Sequence, residues 1–97
     1  MSDRPTAATF DPHVGKEFCP AGQSHILILV LIDTKQSPGW EDAPFPAFSL
    51  LLRGPRGDVL PEGYYVFVIE GGHDADFYIV PIHTVDRAHQ DYQAVFN

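Results

Sequence analysis

The stretch that decides the fold runs from Tyr64 to Ile82 and has the sequence YYVFVIEGGHDADFYIVPI. Two apolar runs flank Gly71 and Gly72, which are residues that adopt positive φ angles without steric cost. Apolar runs joined by such a turn are the signature of a β-hairpin. We therefore predict that Tyr64–Glu70 and Asp76–His83 are antiparallel neighbours in one sheet.

The first strand of this hairpin is apolar on both of its faces. One face carries Tyr65, Phe67 and Ile69, and the other carries Tyr64, Val66 and Val68. A half-buried strand alternates apolar and polar residues instead, and a small sandwich covers only one face of each sheet. We expect the second face to lie partly in an interface with a homo-oligomer or a protein partner. The alternative is that loops and the N-terminal segment cover it.

Short apolar runs separated by turn residues continue on both sides of the hairpin. The chain has nine prolines and eight glycines, a density that disfavours long helices and favours short strands. A helical turn is predicted within Thr9–Gly15, with Thr9 or Asp11 as its N-cap. Further strands are predicted at Lys16–Pro20, Ser24–Asp33, Phe45–Arg53 and Tyr92–Phe96. The predicted class is all-β, a compact antiparallel β-sandwich or small barrel of about five to seven strands.

The length of 97 residues supports one hydrophobic core, so we predict a single domain over residues 1–97, with residues 1–7 flexible. The longest apolar run, Ile26–Ile32, is far shorter than the roughly 20 residues of a membrane-spanning helix. The N-terminal sequence lacks the apolar segment of a signal peptide. We expect no membrane partner, and a location in the cytoplasm or in a particle assembled there.

The net charge of −7 comes from 13 acidic and 6 basic residues. Such a surface repels phosphate backbones and anionic lipid surfaces, which are bound by clustered lysine and arginine. The basic residues are scattered at Arg4, Lys16, Lys35, Arg53, Arg56 and Arg87. Nucleic acid is therefore not an expected partner.

Five histidines, at positions 13, 25, 73, 83 and 89, are the candidate metal ligands. His73 lies beside Asp74 and Asp76, and Asp86 lies between His83 and His89. Neither group has the spacing of a recognised zinc site. We interpret these histidines as solvated turn residues and expect neither a metal nor a cofactor.

Catalytic motifs are missing from the sequence. Cys19 is the single cysteine, so it excludes an internal disulfide, and nothing around it marks a reactive thiol. The acidic residues occur singly in turns, and the sequence contains neither a glycine-rich phosphate loop nor a nucleophile elbow. The tripeptide Arg56-Gly57-Asp58, which integrins bind on projecting loops, is interpreted as a turn. We expect no enzymatic activity and no catalytic residues.

Five segments in series resemble an uncharacterised family of small bacterial proteins. They are Ala8–Phe18, Phe48–Pro55, Leu60–Tyr65, Phe77–Ile82 and Tyr92–Asn97. The resemblance implies a genomic association with genes for phage-tail-collar-like fibre proteins, and hence an accessory, adaptor or assembly role. It implies no catalytic or ligand-binding residues.

The functional hypothesis is a non-enzymatic structural, adaptor or assembly subunit of a phage-tail-like or fibre system, acting through sheet edges and apolar faces. The predicted interface residues are Tyr64, Val66, Val68, Tyr92, Val95 and Phe96. One alternative is a small-ligand or metal-binding β-module that uses the aromatic residues near Trp40 and the turn histidines. Another is a dedicated chaperone that leaves before the fibre is complete.

Two expectations concern the end of the sequence. Because Tyr92–Asn97 is strand-like, we expect this strand to be paired, either inside the fold or with a neighbouring molecule. We also expect Arg53 to pair with the C-terminal carboxylate or with an acidic turn residue.

Overall fold

The computed structural model describes residues 6–34, 47–57, 59–83 and 88–96, and these residues form a closed antiparallel barrel of six strands. A short α-helix, α1, precedes the barrel at Ala7–Phe10 and continues into one 3-10 turn at Asp11–His13. The strands are β1 (Glu17–Pro20), β2 (Leu27–Thr34), β3 (Phe48–Pro55), β4 (Gly63–Ile69), β5 (Ala75–Ile82) and β6 (His89–Phe96). The all-β prediction is confirmed, and of its two architectures the barrel is the one that forms.

The strand order around the barrel is β1-β2-β3-β6-β5-β4, closing from β4 back to β1. The chain therefore forms two three-stranded meanders, joined where β3 pairs with β6 and where β1 pairs with β4. The predicted hairpin is the β4–β5 pair, in which Tyr64 lies opposite Tyr78 and Tyr65 lies opposite Phe77. Because β3 lies beside β6 rather than β4, strands β3 to β6 form a Greek key.

Alternation along the strands fills the barrel interior. Phe48, Leu50 and Leu52 of β3 are buried, as are Phe67 and Ile69 of β4. Each such side chain stabilises the fold by roughly 1.5–3 kcal/mol when fully buried. In β4 the residues predicted to share one face, Phe67 and Ile69, point into the barrel, and those predicted to share the other face point outward.

Phe10 of α1 closes one end of the barrel. Its ring is fully buried and contacts four other phenylalanine rings with centroid distances of 5.5 to 6.3 Å, those of Phe18, Phe48, Phe77 and Phe96. A four-residue helix is far too short to be stable by itself. Packing of Phe10 into the barrel therefore holds α1 in place.

The helix begins earlier than predicted. Its N-cap is Thr6 and its first residue is Ala7, whereas the prediction placed the N-cap at Thr9 or Asp11. Thr9 instead lies inside the helix, and its Oγ1 accepts a hydrogen bond of 3.0 Å from the Thr6 backbone N–H. Ala7 is partly buried and packs against the core. Residues 1–5 lie outside the described part of the chain.

Leu60 lies at the opposite end of the barrel, in the connection between β3 and β4. Its side chain is buried, and its backbone N–H donates a 2.9 Å hydrogen bond to the hydroxyl of Tyr92. Tyr92 is itself fully buried. A buried tyrosine requires a hydrogen-bond partner, and this connection supplies one. Tyr92 is therefore a core residue, which corrects its placement in the predicted interface.

Strand β6 begins at His89, three residues before the predicted start at Tyr92. It pairs with β3 from His89 opposite Pro55 to Phe96 opposite Phe48. On its other side it pairs with β5 through Asp91, Tyr92 and Gln93, whereas Ala94–Phe96 have described register partners in β3 alone. The expectation that the last strand is paired inside the fold is confirmed for the described residues, and Asn97 lies outside them.

Closure of the barrel changes which contacts are open to a partner. A strand at a free edge offers unpaired backbone groups to another sheet, but each strand of this barrel has a neighbour on both sides. Among the described strands, none has an edge that is free along its whole length. The predicted contacts through sheet edges therefore have no such edge to use. The outward side chains of the barrel wall are the surface that remains for assembly.

Candidate protein-docking face

The outer surface of β4 and β5 is mostly apolar. Its apolar residues are Tyr64, Val66, Val68, Tyr78 and Val80, which we call the β4–β5 face, and Asp76 lies on the same side opposite Val66. The exposed fractions are 75% for Tyr64, 48% for Val66 and 49% for Val68. Contiguous exposed apolar side chains are a mark of interaction surfaces. The three β4 residues of the predicted interface therefore lie together on the outside of the barrel.

The other predicted interface residues lie elsewhere. Val95 is exposed on the outer side of β6, where its register partner is Ser49 of β3. Phe96 is half-buried, and its ring stacks on Phe48 at a centroid distance of 4.6 Å, so it belongs to the barrel interior. Tyr92, as described above, is in the core. The predicted set thus mixes outward and inward positions.

Tyr78 and Val80 are the two members of the face that the prediction omitted. They lie on β5, with Tyr78 directly opposite Tyr64. Alternation within Asp76–Ile82 places both on the face opposite to the inward Phe77 and Ile79, so the signal was present in the sequence. Pairing the two halves of the predicted hairpin would have identified them.

Tyr64 and Tyr78 form an aromatic pair on this face. Their ring centroids are 5.2 Å apart and the ring planes meet at 74°, an edge-to-face arrangement. The Tyr78 hydroxyl donates a 2.7 Å hydrogen bond to Oε2 of Glu62. This bond, with burial and the negative charge of Glu62, raises the pKa of Tyr78 above its ordinary value of 10.0. Tyr78 is therefore a neutral donor at physiological pH.

The segment before β4 positions the Glu62 carboxylate. The hydroxyl of Tyr65 donates a 2.7 Å hydrogen bond to the backbone carbonyl of Pro61, the residue immediately before Glu62. Gly63, which follows, has a φ of 159°. The bonds of Tyr65 and Tyr78 thus fix both the backbone and the side chain at this corner of the face.

Acidic side chains border the β4–β5 face. Asp76 lies opposite Val66 in the β4–β5 register, and Glu62 lies beside Tyr78. No lysine or arginine within the described ranges forms an ion pair with either carboxylate. The face therefore combines apolar side chains with the negative charges of Glu62 and Asp76 beside them.

Arg53 and Asp91 form an ion pair across β3 and β6. The Arg53 Nε to Asp91 Oδ1 distance is 2.8 Å, and a second bond joins Nη2 to Oδ2 at 3.3 Å. Strand register places Asp91 directly opposite Arg53, so this partner is a strand residue rather than one of the expected partners, a C-terminal carboxylate or an acidic turn residue. Asp91 is buried, and a buried carboxylate requires such a partner. We assign this pair to strand pairing rather than to a functional site.

A cleft of about 370 Å³ lies beside α1, at the barrel end that Phe10 closes. Its polar lining includes His13, His73 and Asp74, and Phe10 and Ile69 are among its apolar residues. Two of the five histidines, distant in sequence, are therefore brought to one place. Within the described ranges, no group of three or more histidine, cysteine, aspartate or glutamate side chains could hold a metal ion.

The remaining candidate motifs are dispersed. Asp76 lies on β5 rather than in the cleft with His73, and Asp86, which separates His83 from His89, lies outside the described residues, as does Trp40. Cys19 is half-buried on β1 opposite Val68.

Arg56 and Gly57 occupy a turn after β3, and Asp58 is also outside the described part of the chain. The helices that the structure describes include none of the length and apolarity needed to cross a membrane.

Comparison with known proteins identifies one family. A family model described as "Domain of unknown function (DUF6916)" matches residues 5–96, which is nearly the whole chain. Neither a curated protein nor a solved structure matches the chain.

Proposed function

The chain belongs to this family of domains of unknown function, and we propose that it is a non-enzymatic structural, adaptor or assembly subunit that binds a protein through its β4–β5 face. The observation that carries the proposal is the exposure of five large apolar side chains on two adjacent strands. Isolated exposed apolar residues are common, but a contiguous group marks an interaction surface. Covering this group with a partner removes apolar surface from water and favours association.

The proposed setting is a phage-tail-like or fibre assembly. Its support is the resemblance of five segments of the chain to small bacterial proteins associated with phage-tail-collar-like fibre genes. In this setting the protein acts in the cytoplasm or is incorporated into a particle assembled there. A permanent subunit is present in the finished particle, whereas an assembly chaperone is absent from it, so the composition of the mature assembly distinguishes these two roles.

The direct test is co-purification of the chain with the proposed partner, a phage-tail-collar-like fibre protein. Val66→Asp places a charge at the centre of the face, and we expect it to weaken binding at least about tenfold, equivalent to about 1.4 kcal/mol. Because Val66 is exposed on the outside of the barrel, the variant should stay folded and lose only about 1–2 kcal/mol of stability, part of it through repulsion by Asp76 opposite.

Val14→Asp is the matched control. Val14 is also an exposed valine, but it lies between the 3-10 turn and β1, outside the β4–β5 face. Binding by Val14→Asp should equal that of the wild type. Equal binding by Val66→Asp and wild type, or no binding of the fibre protein by any variant, would contradict the proposal.

A small-ligand or metal-binding module is the second candidate function, and the cleft lined by His13 and His73 is the observation that favours it. Thermal unfolding in the presence of divalent ions distinguishes the two functions, because a ligand that binds the folded state raises the unfolding temperature. The docking proposal predicts little change with these ions.

A further inference from the structure

We propose that Glu62, Tyr64 and Tyr78 form a receptor for one lysine or arginine side chain of the partner protein. This inference rests on the proposed function, because it specifies the chemistry of the protein that covers the β4–β5 face. The partner would present apolar side chains to the valines of the face and a basic side chain to its tyrosine corner.

The aromatic pair supplies two walls for a cation. The face of an aromatic ring attracts an ammonium or guanidinium group within about 6 Å of its centroid. The centroids of Tyr64 and Tyr78 are 5.2 Å apart, so one cation can interact with both rings. Tyr64 is 75% exposed and thus open to a partner's side chain.

Glu62 supplies a charge that is already oriented. Its Oε2 accepts the Tyr78 hydroxyl, whereas Oε1 accepts no hydrogen bond from the part of the chain that the structure describes. A basic side chain beside the two rings can donate to Oε1, forming a charge-assisted hydrogen bond.

Charge complementarity favours a basic partner over a second copy of this chain. In a two-fold dimer the same face meets itself, so Glu62 and Asp76 of one copy would approach those of the other. The net charge of −7 adds repulsion between copies. Of the described cations, Arg53 is paired with Asp91, and Lys16 and Arg56 lie outside the β4–β5 face.

The test uses three synthetic peptides as probes, with alternating valine and arginine, valine and glutamate, or valine and serine. Binding is followed by NMR shifts of the protein, including the tyrosine rings. We expect the arginine peptide to bind at least about tenfold more tightly than the glutamate peptide and to shift the Tyr64 and Tyr78 resonances most.

Two variants test the receptor, and one matched variant controls for net charge. Glu62→Gln should weaken binding of the arginine peptide about three- to tenfold, and Tyr64→Leu should weaken it about two- to fivefold. Asp33→Asn removes one negative charge as Glu62→Gln does, but it lies on β2 and should have no effect. Glu62→Gln should also lower the pKa of Tyr78 toward its ordinary value of 10.0.

The outcomes separate this inference from the function it rests on. Three results would contradict the proposed receptor. They are equal weakening of binding by Asp33→Asn and Glu62→Gln, equal binding of all three peptides, and no binding of the arginine peptide. A further result is that Val66→Asp abolishes binding of the fibre protein while Glu62→Gln and Tyr64→Leu bind it as the wild type does. That result would support the docking face and contradict the receptor. If Val66→Asp retains the fibre protein, the proposed function itself fails.

Discussion

Deletion of residues 95–97 is expected to leave a chain that does not fold. The deletion removes Phe96, whose ring lies 4.6 Å from that of Phe48, 5.5 Å from Phe10 and 5.6 Å from Phe77. Loss of a fully buried phenylalanine costs about 3–5 kcal/mol, so loss of the half-buried Phe96 costs somewhat less, and each lost hydrogen bond to β3 costs about 1 kcal/mol more. A small domain has a free energy of unfolding of only about 5–15 kcal/mol. Circular dichroism should therefore show loss of the β spectrum.

Val95→Ser is the control for this deletion. Val95 is 57% exposed on the outer side of β6, so the substitution should change the free energy of unfolding by less than about 1 kcal/mol. A truncated chain that is folded, monomeric and unable to associate would contradict the expected result. It would show that the end of β6 is an assembly strand and not part of the core.

Phe10→Ala should lower the free energy of unfolding by about 3–5 kcal/mol, the cost of deleting a fully buried phenylalanine. The ring of Phe10 contacts phenylalanines on four different strands, and its loss leaves a cavity at the end of the barrel. Because Phe10 holds α1 in place, the helix should detach as well. Urea denaturation measures the first effect, and amide hydrogen exchange of Ala7–Phe10 measures the second.

Two further substitutions define the role of Phe10. Phe10→Leu keeps an apolar side chain and should cost less than the alanine variant. Thr9→Ala, which removes the acceptor for the Thr6 N–H on the exposed side of the helix, should cost about 1 kcal/mol or less. A Phe10→Ala variant destabilised by less than about 1 kcal/mol would mean that α1 does not close the barrel.

The β4–β5 hairpin was predictable because its information is local. Two apolar runs and a pair of glycines specify both the pairing and the two faces. Closure of the barrel is not specified by local sequence, because it depends on the pairing of β1 with β4 and of β3 with β6, which are distant in sequence. The sequence pattern was therefore compatible with a sandwich and with a barrel.

The errors in the candidate site have identifiable causes. Alternation along β6 puts Tyr92 and Phe96 on one side of the strand and Val95 on the other, so the three residues could not share one face. The burial of Tyr92 depends on the backbone N–H of Leu60, a residue that is distant in sequence. The start of α1 was missed because the Thr9 side chain bonds back to Thr6 instead of capping a later turn.

The central claim, that a protein partner covers the β4–β5 face, is tested most directly by the reactivity of a thiol placed at its centre. The probe is Val66→Cys in a Cys19→Ser background, labelled with a thiol reagent in the isolated chain and after mixing with the proposed fibre-protein partner. Val14→Cys in the same background is the control. We predict that complex formation slows labelling at position 66 at least about tenfold and leaves labelling at position 14 unchanged. Equal labelling rates at position 66 in the isolated chain and the complex would contradict it.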